Sequence, residues 1–310
     1  MFKYLFILLL SSSSAASFFY DTIYLKIEVD TTNFKDGQNI KSICKVLDER
    51  IYNAPFCKGE IDCNSPNIIE IVMETNDSQR AIKLIKQMGE LELSLLLDKN
   101  LENNISIVED YLKSTPTLTS YFNEKLMNYG ILGVNAVNID AVKLLLSKLE
   151  SKTSSFRGGR FVWSNKIESM TFEDSSSINY RELYFVSSHP IVTGNVIEKS
   201  DAKIIPRGSQ KSDEWAVALS MNRRGAKKWS SFTGSNIGNR VAIIFNNEVY
   251  MTPVINDKIP SGQVSISGFE NAEEAKDISN ILKSGKLIAP INIVDEKIEK
   301  RRSFLKILFP

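Results

Sequence analysis

The chain has 310 residues, of which 43% are hydrophobic and 24% charged, an ordinary composition for a folded protein with room for two subdomains. Lysine and arginine (38) nearly balance aspartate and glutamate (37), so no overall field favours nucleic acid as a partner. Three cysteines are too few for a disulfide framework, and the single histidine and missing C-x-x-C pair argue against a metal site.

The N-terminus has the composition of an export signal. Lys3 precedes an apolar run at residues 4–10, and small residues follow as far as residue 17. Residues 18–20 could instead extend that run into a single anchoring helix. We therefore expect residues 1–17 to be a signal peptide or an N-terminal anchor. No other segment has the about 18 apolar residues that a membrane span needs.

The next segment predicts alternating strands and helices. Strands are predicted at residues 23–30, 56–62, 68–74 and 91–97, and helices at residues 40–51 and 77–89. This βαββαβ order is that of a ferredoxin-like unit. Residues 18–100 are therefore predicted to form the first part of a ferredoxin-like base.

The later segment, residues 236–296, is predicted to complete that base. Strands are predicted at residues 240–245, 248–255, 263–267 and 289–295, with a helix at residues 272–284. We expect this ββ-β-α-β extension to enlarge the first sheet. The fold class is then α+β, with residues 101–235 inserted as an α+β head and residues 297–310 as a basic amphipathic tail.

The predicted head is more irregular than the base. Helices are predicted at residues 118–127, 136–149 and 223–232, and strands at residues 161–163, 183–186 and 214–221. The three cysteines leave two alternatives open. Cys57 and Cys63 flank a predicted strand and could pair in an oxidising compartment, or all three cysteines remain thiols.

Several short motifs follow one another in the last third of the chain. They occupy residues 225–229, 233–238, 240–244, 249–255, 261–268, 273–275 and 282–287. This run resembles the segment that closes the first extracytoplasmic domain of SecD and SecDF, auxiliary subunits of the Sec protein translocase. Residues 47–51 and 190–195 are also similar to that family, so the resemblance covers most of the chain after residue 17.

The resemblance implies a ferredoxin-like base carrying an inserted head, and a role in assisting protein export from the far side of the membrane. Residues 20–25 lack the glycine pair that normally follows the family's first membrane helix, and no membrane helices follow residue 296. We therefore expect a soluble or singly anchored relative, or one part of a split protein with a membrane partner. Proton-driven pulling by this chain alone is not expected.

No residue pattern predicts catalysis. His189 precedes Pro190 in a predicted turn, and a Ser-His-Asp or Cys-His site would have to use it. Residues 225–228 and 284–286 lack the remaining glycines of a phosphate-binding loop. We expect no enzyme, no cofactor, and no catalytic or metal-binding residue.

Glycines and prolines that match the family are expected to serve the backbone, because glycine permits tight turns and close approach. These positions are Gly225, Gly238, Pro253, Gly262, Gly268, Gly285 and Pro290. Pro253 within a strand pattern indicates an edge or a bulge.

A polypeptide-binding surface is the sharper functional hypothesis. Trp163, Phe185 and Trp215 are its candidate residues, because exposed aromatic side chains could receive extended apolar segments. The expected partners are a translocating preprotein and Sec membrane components (SecF-like or a SecYEG-type channel), with a possible membrane surface for the tail. The expected location is the periplasm or the outer face of the inner membrane. The alternative is a scaffold module that keeps the SecD fold without translocation activity.

Overall fold

The computed structural model describes residues 20–32, 34, 39–97, 118–128, 130–150, 158–205 and 214–300. The predicted signal peptide or anchor, residues 1–17, lies outside the described residues, as do the tail from residue 301 and the predicted head from residue 101 to 117. The chain divides into two compact units, Met1–Gly89 with Asn280–Pro310 and Glu90–Ser279. The predicted head lies within the second unit, and its bounds remain a prediction.

The described residues form a mixed α/β fold with several sheets. Its strands are β1 (Asp21–Val29), β2 (Cys57–Asp62), β3 (Ile68–Thr75), β4 (Leu91–Leu95), β5 (Gly133–Asn135), β6 (Gly159–Ser164), β7 (Glu168–Thr171), β8 (Ser177–Ser187), β9 (Val192–Thr193), β10 (Ile197–Ile205), β11 (Glu214–Met221), β12 (Val241–Phe245), β13 (Glu248–Met251), β14 (Gln263–Ile266) and β15 (Ile291–Glu299). Its helices are α1 (Ile40–Tyr52), α2 (Ser78–Lys86), α3 (Glu124–Met127), α4 (Ile139–Glu150), α5 (Arg223–Ser235) and α6 (Ala272–Ser284), with 3-10 turns at Thr119–Tyr121, Ala136–Asn138 and Gly194–Val196.

The first unit is built on a four-stranded antiparallel sheet in the order β15-β1-β3-β2. Its strands alternate as predicted, and Ile23, Leu25 and Ile27 of β1 are buried on one face. The opposite face is polar, and Lys26 pairs with Glu70 at 3.5 Å there. The apolar sides of α1 and α2 pack against this buried face.

A side-chain cap precedes each of the two helices of this unit. The side chain of Asn39 accepts a hydrogen bond from the Ser42 amide before α1, and Asp77 accepts one from the Arg80 amide before α2. Such caps satisfy amides that have no partner inside the helix. Local sequence therefore determines where these two helices start.

The prediction that residues 91–97 complete the first sheet is wrong. β4 pairs with β12 and β9 in the second unit, and β15 takes the place beside β1. Burial explains the exchange. β4 is buried on both faces, with Leu91 and Leu93 on one face and Ser94 on the other. A strand buried on both faces must lie inside a covered sheet. Most side chains of β15 are exposed, which suits an edge strand.

The predicted enlargement of the first sheet by residues 240–267 is also wrong. β12 and β13 belong to a larger sheet in the order β5-β8-β6-β13-β12-β4-β9, and β14 pairs with β11. All five side chains of β12 are buried, so this strand needs cover on both faces. Asn246 and Asn247 form the tight turn between β12 and β13, and both have positive φ angles.

The larger sheet carries an apolar cluster that includes buried side chains of α4. Val142 and Leu145 of α4 lie in that cluster with Phe161 and Leu183 of the sheet. The single helix predicted at residues 118–127 is interrupted in the structure. Phe122 is extended between the 3-10 turn and α3, so the apolar spacing spans two short pieces.

The disulfide joins Cys44 and Cys63, with Cα atoms 6.5 Å apart, so neither alternative, a Cys57–Cys63 pair or three thiols, is correct. Cys57 begins β2 and Cys63 directly follows it. An extended strand rises about 3.3 Å per residue, which separates these two cysteines by roughly 20 Å. Cys57 is instead buried and takes no part in the disulfide.

Candidate functional site

The three-stranded sheet of the second unit, in the order β10-β11-β14, carries the candidate polypeptide-binding surface. Among the described residues, β10 pairs only with β11, so one side of this nine-residue strand is an edge. Edge strands present backbone N–H and C=O groups that an added strand can bind.

An exposed aliphatic residue and a candidate tryptophan lie opposite each other on this sheet. Ile204 of β10 is the cross-strand partner of Trp215 of β11. Directly opposite residues share a face, so the two side chains are neighbours. Ile204 is 49% exposed and Trp215 is half-buried. Together they form an apolar strip, the Ile204–Trp215 strip, along the edge.

The first half of α6 covers the rest of that face. The Lys276 ammonium lies 5.5 Å from the centre of the Trp215 ring, a cation–π contact. The Ser200 hydroxyl donates to the Ser279 hydroxyl at 3.2 Å, and both residues are buried. The helix therefore holds Trp215 in place from one side and leaves Ile204 open at the edge.

The opposite face of the same sheet is polar at its edge. Lys199, Asp201 and Lys203 lie on the face of β10 opposite to Ile204, and all three are exposed. Charged residues on an edge strand oppose uncontrolled pairing between copies of a protein. The strand is thus open to a partner and protected from aggregation.

Trp163, the second candidate residue, lies on β6 of the larger sheet. It is half-buried against the α4 cluster, and the Arg181 guanidinium lies 5.7 Å from its ring centre. Arg181 also forms an ion pair with Glu248. The ring is therefore partly covered by its own domain.

Phe185, the third candidate residue, is a core residue. It is 3% exposed, and its ring centre lies 4.9 Å from that of Phe161. The sequence pattern at residues 183–186 correctly predicted a β-strand, but it did not show which face of that strand is buried. Phe185 therefore has no surface to offer a bound polypeptide in this fold.

Two half-buried titratable groups lie together on the larger sheet without forming a catalytic arrangement. The Tyr184 hydroxyl donates to Glu182 Oε2 at 2.7 Å. Burial raises the pKa of the Glu182 carboxyl, which the Tyr184 hydrogen bond and the charge of Arg240 oppose. The pKa of Tyr184 is also raised, chiefly by burial and then by Glu182. The pair is a polar contact within the fold.

His189 lies exposed in a turn. Its Nδ1 is 3.2 Å from the Ser188 hydroxyl, which itself donates to the Gly158 carbonyl at 2.9 Å. Within the described ranges, no hydrogen bond or ion pair joins His189 to a carboxylate, so nothing orients its ring as a catalytic base. No group of three or more potential metal ligands occurs among the described residues.

The glycines and prolines that match the family occupy turns and close contacts. Gly238, Gly262, Gly268 and Gly285 have positive φ angles, and Gly225 is the buried helical position facing Val196. The Pro253 carbonyl accepts from the Val241 amide at 3.0 Å, and Pro290 lines an open cleft of about 570 Å³ with Glu28 and Asn67. Their roles in the backbone remain a proposal.

Residues 169–289, which include this three-stranded sheet, α5 and α6, match the family model "SecDF, P1 head subdomain". The SecD of Calditerrivibrio nitroreducens is 29% identical over 283 residues, which are 89% of this chain and 44% of that protein. The SecD of Rhodothermus marinus is 41% identical over 120 residues, which are 38% of this chain and 18% of that protein. The chain is therefore similar to SecD over most of its length. The predicted relationship to SecD and SecDF is thereby confirmed.

Solved structures of SecDF share the fold of this chain. One, described as a membrane component that enhances protein export, has a TM-score of 0.52 at 22% identity, covering 88% of this chain and 98% of that chain. Another, SecDF in a super-membrane-facing form, has a TM-score of 0.55 at 20% identity, covering 91% of this chain and 30% of that chain. The chain spans less than half the length of the two curated SecD relatives. None of its described helices is long and apolar enough to cross a membrane.

The strand that forms the edge of the candidate surface was not among the predicted strands. Residues 197–205 contain two acidic and two basic side chains, which hide the alternation expected of a strand. The signal that could have located β10 was the apolar alternation of β11. A strand with that pattern needs a neighbouring strand on each side. Ile204 was therefore not among the candidate residues.

Proposed function

We propose that this protein is a SecD-like extracytoplasmic domain that assists protein export by binding extended segments of a translocating polypeptide along β10. The observation that carries the proposal is the open edge of β10 beside the Ile204–Trp215 strip, within the segment that matches the P1 head. An extended chain would add its backbone to the strand edge and place apolar side chains against the strip. This role needs no catalytic group.

The disulfide supports a location outside the cytosol. Disulfides persist in oxidising compartments and are rare where thiols are kept reduced. Cys44–Cys63 therefore fits the export that residues 1–17 predict, with the domain in the periplasm or anchored to the outer face of the inner membrane. The partners we propose there are the preprotein and a Sec membrane component of the SecF or SecYEG type.

Site-specific photo-crosslinking tests this function. A crosslinking amino acid at Ile204 should capture an exported polypeptide arrested during translocation. The matched control is Val294, which is 47% exposed on the edge strand β15 of the first unit. Capture from both positions would mean non-specific contact, and capture from neither by a folded protein would favour the scaffold alternative.

A binding measurement with the isolated chain complements the crosslinking. Burying an isoleucine side chain contributes about 2 kcal/mol, so Ile204→Asp should weaken binding of an extended apolar peptide by roughly tenfold or more. Val294→Asp should leave that affinity unchanged. Equal losses in the two variants would contradict the assignment of the surface to β10.

A further inference from the structure

One helix of the second unit carries a cluster of cations without acidic neighbours in the sequence. Residues 215–247 contain no aspartate or glutamate, although the whole chain has a net charge of only +1. Arg223, Arg224, Lys227 and Lys228 lie in the first two turns of α5, and all four are exposed. We call these four residues the α5 cation cluster.

The arrangement is unfavourable for the helix itself. Arg223 with Lys227 and Arg224 with Lys228 are spaced i,i+4, where like charges repel. Both arginines also lie in the first turn, where the helix dipole favours anions, and that turn has no acidic residue. Across the described ranges, no ion pair joins any of the four to a carboxylate. Local stability therefore does not explain the cluster.

The opposite face of α5 is fixed to the domain. A Cβ on Gly225 would lie 2.6 Å from Val196 Cγ2, so the helix and that residue are in close contact. Trp229 is 3% exposed, and the Ile259 amide donates to the Thr233 hydroxyl at 2.9 Å. The four cations are consequently presented from a rigid support.

We propose that the α5 cation cluster binds the anionic headgroups of a phospholipid bilayer. A bilayer presents negative charges at any spacing, whereas an acidic peptide would need carboxylates matched to two i,i+4 rows. Lysine ammonium groups on flexible stems attract such charges without fixed geometry. Ile237, two residues after α5, is 58% exposed and could enter the interfacial region beside them. This role is separate from polypeptide binding, because no residue of the cluster belongs to β10 or β11.

Vesicle co-sedimentation of the full chain tests the proposal. The vesicles are phosphatidylcholine with or without phosphatidylglycerol, and the variant is R223Q/R224Q/K227Q/K228Q. The matched control, K41Q/K45Q/K83Q/K86Q, removes four exposed lysines from α1 and α2 and changes the net charge equally. The wild type and the control should bind only the anionic vesicles, less so at high salt. The cluster variant should bind them at least roughly tenfold more weakly.

Two results would overturn the proposal. One is unchanged vesicle binding by the cluster variant, and the other is an equal loss in the control, which would make net charge the cause. Binding of a polyglutamate peptide with no vesicle binding would assign the cluster to an acidic polypeptide instead. The cluster variant should melt no lower than the wild type, because it removes repulsion. If it does melt lower, K227Q/K228Q must still lose part of the vesicle binding.

Discussion

The guanidinium of Arg50 donates a hydrogen bond to the carbonyl of Gly285, 3.1 Å away and 235 positions later in the chain. It also donates to the carbonyls of Leu84, at 3.2 Å, and Gln87, at the end of α2. Arg50 is completely buried, and that burial lowers its pKa to about 10. Carbonyls at helix C-termini carry partial negative charge, so here they replace the carboxylate that a buried cation usually needs.

Arg50→Met should destabilise the fold by about 3 kcal/mol, because several buried carbonyls lose their donor. Arg50→Lys should recover little of this, since an ammonium cannot reproduce the planar fork of five donors. Urea denaturation measures both changes. Lys41→Met, at an exposed position of the same helix, should change stability by less than about 0.5 kcal/mol. A similar small change in both Arg50 variants would refute the structural role.

The folded protein should lose stability as pH rises above the ordinary tyrosine pKa of 10.0. Burial raises the pKa of Tyr184, so the folded state keeps its proton at a pH where the unfolded chain releases it. The contribution is complete below pH 10.0 and declines above it. Tyr184→Phe should flatten this decline. The comparison with wild type also cancels the opposite trend from Arg50, whose pKa is lowered.

Glu182→Gln should stabilise the protein at neutral pH. Burial raises the pKa of Glu182, so the folded state binds a proton more tightly than the unfolded chain, and stability falls as pH rises from 4.5 to the raised value. Glutamine has no such titration and can still accept from Tyr184. Denaturation curves across acidic pH should therefore converge below pH 4.5 and separate above it. Parallel curves would show that Glu182 is not responsible.

Gly262→Ala should cost about 3 kcal/mol and Gly238→Ala about 1 kcal/mol. Both glycines have positive φ, +65° and +82°, which a Cβ disfavours. Only Gly262 is also crowded, because its added Cβ would lie 2.6 Å from the Cβ of Ala226. Thermal melting measures both variants, and the difference between their losses gives the cost of crowding apart from the cost of the backbone angle. Equal losses would mean that the backbone angle alone matters at both positions.

Cys44→Ser should destabilise the protein by about 3 kcal/mol, because the disulfide closes a loop between residues 19 apart and restricts the unfolded chain. Reduction of the wild type should have the same effect. Denaturation with and without a reductant measures it. Cys57→Ser is the control, and its stability should remain sensitive to the reductant. Insensitivity of Cys57→Ser would show that Cys57 belongs to the native disulfide.

The sequence predicted most local elements because the signals for them are local. The alternation of Ile23, Leu25 and Ile27 predicts β1, and the apolar spacing of residues 40–51 predicts α1. Strand pairing is different, because it depends on which distant strand buries each face. β4 and β15 both look like strands in isolation, and only the burial of both faces of β4 separates their positions.

The candidate site was predicted less well than the fold. Trp215 was identified from residue type, but the burial of Phe185 follows from its packing on Phe161 rather than from its own strand pattern. Arg50 was noted only as part of a family motif. Nothing local shows that its partners are carbonyls from α2 and from a residue 235 positions later. Ile204 lies in a charged segment whose strand character depends on pairing with β11.

The Cys44–Cys63 crosslink has a consequence for the order of events in biogenesis. Under the proposed export, the cytosol keeps both thiols reduced, and the first unit lacks a constraint on its unfolded ensemble there. The chain is then easier to thread through a translocation channel before oxidation than after it. The disulfide that stabilises this domain would thus also hinder its passage back through the channel once export is complete.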